Sequence, residues 1–351
     1  MNRKEKPGID LSSLNKILLI RLRRIGDVVM TTPAVTALKH ALPLASLTYV
    51  IEEPLRRLVE GNPDLDHVMV VPPSQSVAGF IGLIRQIRKE SYDAVLDFHG
   101  GPRASRIAWL SGARFKVGYE LKYKSAFYDI RVPRSRPEGP IHSVESHFNL
   151  VRALGLGVEK PLPSLFLPPA REEEKEKIDQ YWREYGLGGA RVAAVHIGAG
   201  NEFRDWGTEN MAALTGRLIR FAGVKVVLVG AERDGARAEL IREKDPRFIF
   251  SLAGKINLIE LRELIARAAL FVGPDSGPMH IAAATRTPIV ALFGPTLPAN
   301  FAPWRAKATL IEKDLDCRPC KQRRCITEDI RCLRTITPEE VYPACLKYLI
   351  S

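Results

Sequence analysis

Twice along the chain, short apolar runs alternate with stretches of helical periodicity, and this repeated alternation leaves few folds open. In the first half, Lys16 to Leu22, Ser46 to Ile51, Val68 to Val71 and Tyr92 to Phe98 read as strands; Val28 to Leu42, Pro54 to Glu60 and Val77 to Glu90 read as the helices between them. Strands separated by helices of this length need crossover connections, so they form a parallel sheet covered on both faces. The pattern breaks at the proline-rich Pro161 to Pro169, which follows a helical segment from Val144 to Leu154 and precedes the highly charged Arg171 to Arg183. That shift in composition predicts a linker. The alternation then restarts, with strands at Arg191 to Ile197, Lys225 to Val229, Phe248 to Leu252, Ala269 to Val272 and Ile289 to Phe293. Helical segments such as Met211 to Phe221, Leu258 to Ala266 and Met279 to Ala284 separate them. At 351 residues the chain exceeds what one core usually organises. The expectation is therefore an α/β protein of two doubly wound parallel-sheet domains.

Composition narrows the class. Apolar residues at 46% and charged residues at 26% fit a folded, water-soluble body rather than a disordered chain. No apolar run reaches the roughly 18 residues needed to cross a bilayer, and the polar start from Met1 to Asp10 lacks the apolar stretch of a signal peptide. A cytoplasmic location is the expectation. A formal charge of +12 favours polyanionic partners: nucleic acid, an anionic membrane surface or a phosphorylated substrate.

In doubly wound sheets ligands bind beyond the carboxyl ends of the strands, so the loops there carry the candidates. Arg23-Arg24-Ile25-Gly26-Asp27 follows the first strand and runs directly into a helix. Gly26 permits a tight turn and Asp27 falls in the first helical turn, as a cap for backbone amides or as a carboxylate able to accept a proton. In Phe271 to His280, the amides of Ser276 and Gly277 form an anion site suited to a diphosphate. Asp275 suits sugar hydroxyls or a helix cap there, and His280, one turn further, either reaches a sugar or is satisfied within the fold. His196 to Gly200 leads to Phe203-Arg204-Asp205-Trp206. Arg204 either grips phosphate oxygens as a fork or lies on the surface over the tryptophan. In Val229 to Asp234, Glu232 or Asp234 would hold ribose hydroxyls, the alternative being solvated loop charge. Asp64 with Asp66 and Asp314 with Asp316 read as turn chemistry rather than metal ligands.

Cys317, Cys320, Cys325 and Cys332 follow a C-x2-C-x4-C-x6-C spacing, with Cys345 apart. The spacing could hold a tetrahedral zinc but lacks the paired knuckles of a zinc ribbon; free or transiently oxidised thiols are the alternative. There is no Walker sequence, no Gly-x-Gly-x-x-Gly after either leading strand and no serine nucleophile elbow, which counts against kinases, ordinary dehydrogenases and hydrolases. No recognition fold or basic-aromatic platform for nucleic acid is visible, so none is expected as a partner.

Taken in order, the loops resemble those of the bacterial ADP-heptose:lipopolysaccharide heptosyltransferases, glycosyltransferase family 9. The matching segments are Ile20 to Pro33, the turn Arg204 to Trp206, Ser251 to Lys255 with Leu258 to Leu264, Gly273 to Ala284, and Phe293 to Thr296. The cysteine cluster resembles the tail of the branch that adds the second heptose. The resemblance implies a GT-B fold, two Rossmann-like domains facing across a cleft: an acceptor domain over 1–165, a nucleotide-sugar domain over 170–336, and a helix over 337–351 crossing back to the first. It implies inverting transfer of heptose from ADP-L-glycero-D-manno-heptose to the Kdo/heptose inner core of lipid A-linked lipopolysaccharide, with no cofactor or metal. Asp27 matches the family's proposed base. Arg204 stands where members often carry lysine against the donor phosphates, and Glu232, Asp234, Ile256, Asp275, Ser276, Gly277 and His280 complete the donor set. Arg23, Arg24, Gly26, His99, Arg103 and Arg106 would meet an anionic acceptor at the inner face of the inner membrane. The alternative is a GT-B enzyme that uses another nucleotide-sugar, as transferase or epimerase.

Overall fold

The computed structural model describes residues 9–73, 75–121, 125–134, 139–158 and 164–350. The chain forms two compact units, Met1–Pro168 and Pro169–Ser351. The boundary falls inside the proline-rich stretch, between the helix Ser143–Arg152 of the first unit and the helix Glu172–Glu184 of the second.

In the first unit six strands, β1 (Lys16–Ile20), β2 (Ser46–Glu52), β3 (His67–Val71), β4 (Ala94–Asp97), β5 (Phe115–Tyr119) and β6 (Ile130–Val132), form one sheet in the order β3-β2-β1-β4-β5-β6. All its pairings are parallel. The second unit repeats the arrangement with β7 (Val192–His196), β8 (Lys225–Val229), β9 (Ile249–Ser251), β10 (Leu270–Pro274), β11 (Ile289–Phe293) and β12 (Ala308–Glu312), in the order β12-β11-β10-β7-β8-β9. Counted within its own unit, each sheet runs 3-2-1-4-5-6. The connection reverses between β1 and β4 in one and between β7 and β10 in the other, and a crevice opens at such a reversal.

Central strands such as β1 and β10 are buried along nearly their whole length, which is why they read as unbroken apolar runs. Leu18, Ile20, Val50, Val95 and Ile107 meet in the first core; Val195, Val226, Leu228, Trp206, Met211 and Val290 meet in the second. The helix Ile25–Ala41 is buried over most of its length and packs against Ser143–Arg152. The segment expected as a helix at Pro54 to Glu60 is a 3-10 turn, Glu53–Leu58. The last helix, Pro338–Leu349, opens with a reciprocal cap between Thr337 and Glu340 and sends Val341, Cys345, Tyr348 and Leu349 into the second core. It packs against the helix Thr208–Ala222 and against β10 and β11, within the second unit.

Candidate active site

At the reversal of the first sheet, β1 leads into the helix Ile25–Ala41 and β4 into the helix Pro102–Leu110. Asp27 is not the cap of its helix: that position belongs to Arg24, whose backbone has φ +73° and whose side chain makes no capping bond. The Asp27 carboxylate instead pairs with the Arg21 guanidinium. The two partners differ in exposure, Arg21 at 3% and Asp27 at 18%, so a buried cation steadies a carboxylate that solvent still reaches. Arg21 Nη1 also donates to the Phe98 carbonyl at 2.6 Å, tying the loop after β1 to the loop after β4.

The loop after β4 is organised by Asp97, fully buried, whose Oδ1 accepts from the amides of His99 (2.8 Å) and Gly100 (2.9 Å) and whose Oδ2 accepts from Tyr128 Oη at 2.6 Å. Burial pushes the Asp97 carboxyl up, against the pull of these donors. His99 is half-buried, its Nδ1 lacks a hydrogen-bond partner, and burial followed by the charges of Arg21 and Arg23 pulls its pKa down to about 4. The ring is therefore neutral near pH 7, a hydrogen-bonding group rather than a charge.

Arg23 and Arg103 each approach Glu52 Oε1 at 3.8 Å, so the structure brings these two cations together. Gly26 is buried in the first helical turn and Arg24 is exposed. Arg106 is not drawn into this group; it is exposed on its own helix, with Nε 3.3 Å from the Pro102 carbonyl. Breaking the Arg21 brace gives the first prediction: Arg21→Met lowers turnover roughly tenfold or more by freeing Asp27 from its set position, while donor KM stays near wild type. Unchanged kcat in the folded variant rejects the brace, and partial recovery in Arg21→Lys supports it.

At the reversal of the second sheet, β7 leads to Arg204 and β10 to Asp275. Asp275, 2% exposed, is a hub: its Oδ2 accepts from Thr296 Oγ1 at 2.6 Å and lies 3.3 Å from Arg204 Nη1, and its Oδ1 stands 4.0 Å from His280 Nε2. Arg204 Nη1 also donates to the Asp275 carbonyl at 3.1 Å and Nε to Gln322 Oε1 at 2.8 Å. The guanidinium is held from one edge and remains about a quarter exposed. Ser276 precedes the short helix Gly277–Ala283 and makes no side-chain cap; its hydroxyl sits 3.2 Å from His196 Nδ1. Burial pulls the His196 pKa down to about 4.

The expected alternative for Arg204, a surface arginine over a tryptophan, is overturned. Trp206 is 1% exposed, and its Nε1 donates to the Ile336 carbonyl at 2.7 Å. A large apolar ring is worth more inside the core than beneath a solvated guanidinium. Asp234 and Glu232 part company as well. Asp234 is buried, with Oδ2 accepting the Ala231 amide at 2.8 Å, and a Cβ on Gly198 would collide with that oxygen. Glu232 is exposed, and Ile256 is half-buried ahead of the helix Leu258–Arg267.

Four participants were absent from the sequence candidates: Arg21, Asp97, His196 and Thr296. Arg21 and Asp97 leave a signal, a lone charge inside an apolar strand run, because a buried charge must have partners. Cys317, Cys320, Cys325 and Cys332 line one small pocket with Phe203, Pro295 and Arg318, as unpaired thiols. Among the described residues no three His, Cys, Asp or Glu side chains stand in metal-holding geometry. Asp64 and Asp66 are turn residues, Asp66 accepting from Lys39 Nζ and from the Leu47 amide.

Comparison with known proteins identifies the family. Residues 80–331 match glycosyltransferase family 9 (heptosyltransferase). Lipopolysaccharide heptosyltransferase 3 of Escherichia coli is 27% identical over 81% of this chain and 84% of its own. A glycosyl transferase family 9 structure from Veillonella parvula superimposes with a TM-score of 0.84 at 25% identity, covering 96% of this chain and 98% of that one. The structure of E. coli ADP-heptose lps heptosyltransferase II does so with a TM-score of 0.77 at 24% identity over 95% and 98%. The fold class is thus GT-B, and the chain is a glycosyltransferase belonging to glycosyltransferase family 9, the heptosyltransferases.

Proposed function

We propose that the chain transfers heptose from ADP-L-glycero-D-manno-heptose, with inversion and without a metal, to the Kdo/heptose inner core of lipid A-linked lipopolysaccharide. One observation carries this reading: the two sheet reversals hold complementary chemistry, an accessible carboxylate braced by Arg21 in the first unit and a braced guanidinium beside Ser276 in the second. The names of the relatives support the donor and acceptor classes.

In this reading Asp27 takes the proton of an acceptor hydroxyl as that oxygen forms a bond to the anomeric carbon from the face opposite the diphosphate. The bond from that carbon to the diphosphate oxygen breaks, its electron pair leaves with ADP, and a single displacement inverts the centre. Arg204 and the amides of Ser276 and Gly277 meet the charge that grows on the leaving group. Asp275 fixes Arg204 and, with His280, faces the donor sugar. Glu232 is the ribose candidate, while Asp234 shapes the loop beside it. The neutral His99 ring and the Arg23–Arg103 group, with Arg24, meet the acceptor's hydroxyls and its phosphates and carboxylates. The cationic surface suits an acceptor anchored at the inner face of the inner membrane.

Incubation with ADP-heptose and defined Kdo-lipid A acceptors, read by product mass, tests the reading against parallel reactions with UDP-sugars. Product from ADP-heptose alone supports it; turnover only with another donor overturns it. Arg204→Ala should weaken ADP-heptose binding by about tenfold or more, the cost of one charge-assisted contact. An unchanged Kd by calorimetry removes Arg204 from the donor site.

A further inference from the structure

We propose that the outward faces of two neighbouring helices in the first unit, Val77–Glu90 and Pro102–Leu110, form the surface that seats the chain on an anionic phospholipid bilayer. This rests on the reading of the acceptor as lipid-borne and deepens it by naming the face that meets the lipid. The helices lie side by side. At one end Arg103 donates to the Pro72 carbonyl, just ahead of the first helix; at the other, Arg88 Nε lies 3.8 Å from where a Cβ on Gly112 would stand, just past the second.

Their inward sides supply Leu83, Ile87, Ala104, Ile107 and Ala108 to the core. Their outward sides leave Val77 72%, Ile81 45% and Trp109 54% exposed. Single exposed apolar side chains are ordinary on any protein surface. Here Val77 and Ile81 share one face of the first helix, one turn apart, and Trp109 stands exposed on the neighbouring helix, its ring against Phe127 at a centroid distance of 5.8 Å. The exposed charges carried by these two helices themselves have one sign. Arg85, Arg88 and Arg106 are exposed on the same helices, and the sole carboxylate in either helix, Glu90, is paired with Lys16 at 3.0 Å.

Exposed apolar side chains that include a tryptophan, on helices that carry exposed arginines, match a bilayer interface, where indole sits among headgroups and cations meet anionic phosphates. A protein partner would be expected to meet a patch of mixed sign, which this is not. The first helix begins just beyond β3, at the same carboxyl edge of the sheet as Asp27, so the Val77 and Ile81 end of this face lies toward the acceptor side of the unit.

The test is sedimentation of the full chain with phosphatidylglycerol-containing vesicles and with pure phosphatidylcholine vesicles, without donor. The expected result is retention on the anionic vesicles that falls as salt rises. The double variant Ile81→Asp with Trp109→Asp, and separately Arg85→Glu with Arg88→Glu, should each bind about tenfold more weakly or worse, with unchanged Tm and unchanged turnover on a soluble, delipidated acceptor. A wild-type chain not retained by anionic vesicles overturns the proposal, as do folded variants retained as well as wild type. The two readings fail separately: vesicle binding without heptose transfer overturns the function alone, and heptose transfer without vesicle binding overturns this surface alone.

Discussion

Replacing Asp27 by Asn is expected to lower kcat by about 100-fold or more, the usual worth of a positioned base. The amide keeps the shape and the contact with Arg21 but cannot accept the proton, so donor binding should hold while the chemical step fails. The informative measurement is kcat beside the Kd for ADP-heptose in the same preparation. A fall in kcat with little change in Kd fits a group that acts on the acceptor oxygen. A fall in both points to a collapsed loop, and near-wild-type turnover in Asp27→Asn removes the base from the mechanism. Asp27→Ala leaves the buried Arg21 cation without its carboxylate, so it should also lose stability; Asp27→Asn is the cleaner variant.

The second large effect concerns stability. Trp206→Ala should destabilise the second unit by about 3–5 kcal/mol, because it empties a fully buried indole site and orphans the Ile336 carbonyl. At roughly 2–4 °C per kcal/mol for a unit of this size, Tm should drop by about 10 °C. Trp206→Phe keeps most of the ring and loses the Nε1 bond, so its smaller drop isolates the hydrogen bond. A Tm within about 2 °C of wild type in Trp206→Ala would show that the site collapses without cost. Since Arg204 and Asp205 precede this ring, the same variant should raise the donor KM.

The central strands were open to sequence reading because a sheet covered on both faces needs runs of apolar residues, and β1, β8 and β11 have them. The strands that went unread lie toward the sheet edges. β5 carries Lys116 and Gly118 among its apolar residues, β6 is three residues long with Arg131 exposed, and β12 is partly exposed throughout. Each is marked as a strand by its neighbour rather than by its own residues. The helix Pro102–Leu110 was missed for a related reason: its arginines and exposed tryptophan blur the apolar stripe.

The site divides the same way. Asp27, Arg204 and Asp275 could be found because the residues after a parallel strand form a short, searchable set. Whether Asp27 caps its helix could not be found there, because that depends on where the helix begins, and the left-handed backbone at Arg24 decides it. His196 and Thr296 acquire meaning only when the fold sets them beside Ser276 and Asp275, 80 and 21 residues away in sequence.

The Asp234 carboxylate lies over the glycines of two successive strand-end loops, Gly198 and Gly230, and each would bring a methyl group within about 3 Å of it. Variation at these three positions should therefore be epistatic. A side chain admitted at 198 or 230 becomes tolerable only once residue 234 has shrunk, so drift along this rim has to proceed in linked pairs, and libraries that randomise one position at a time will score 198 and 230 as immutable.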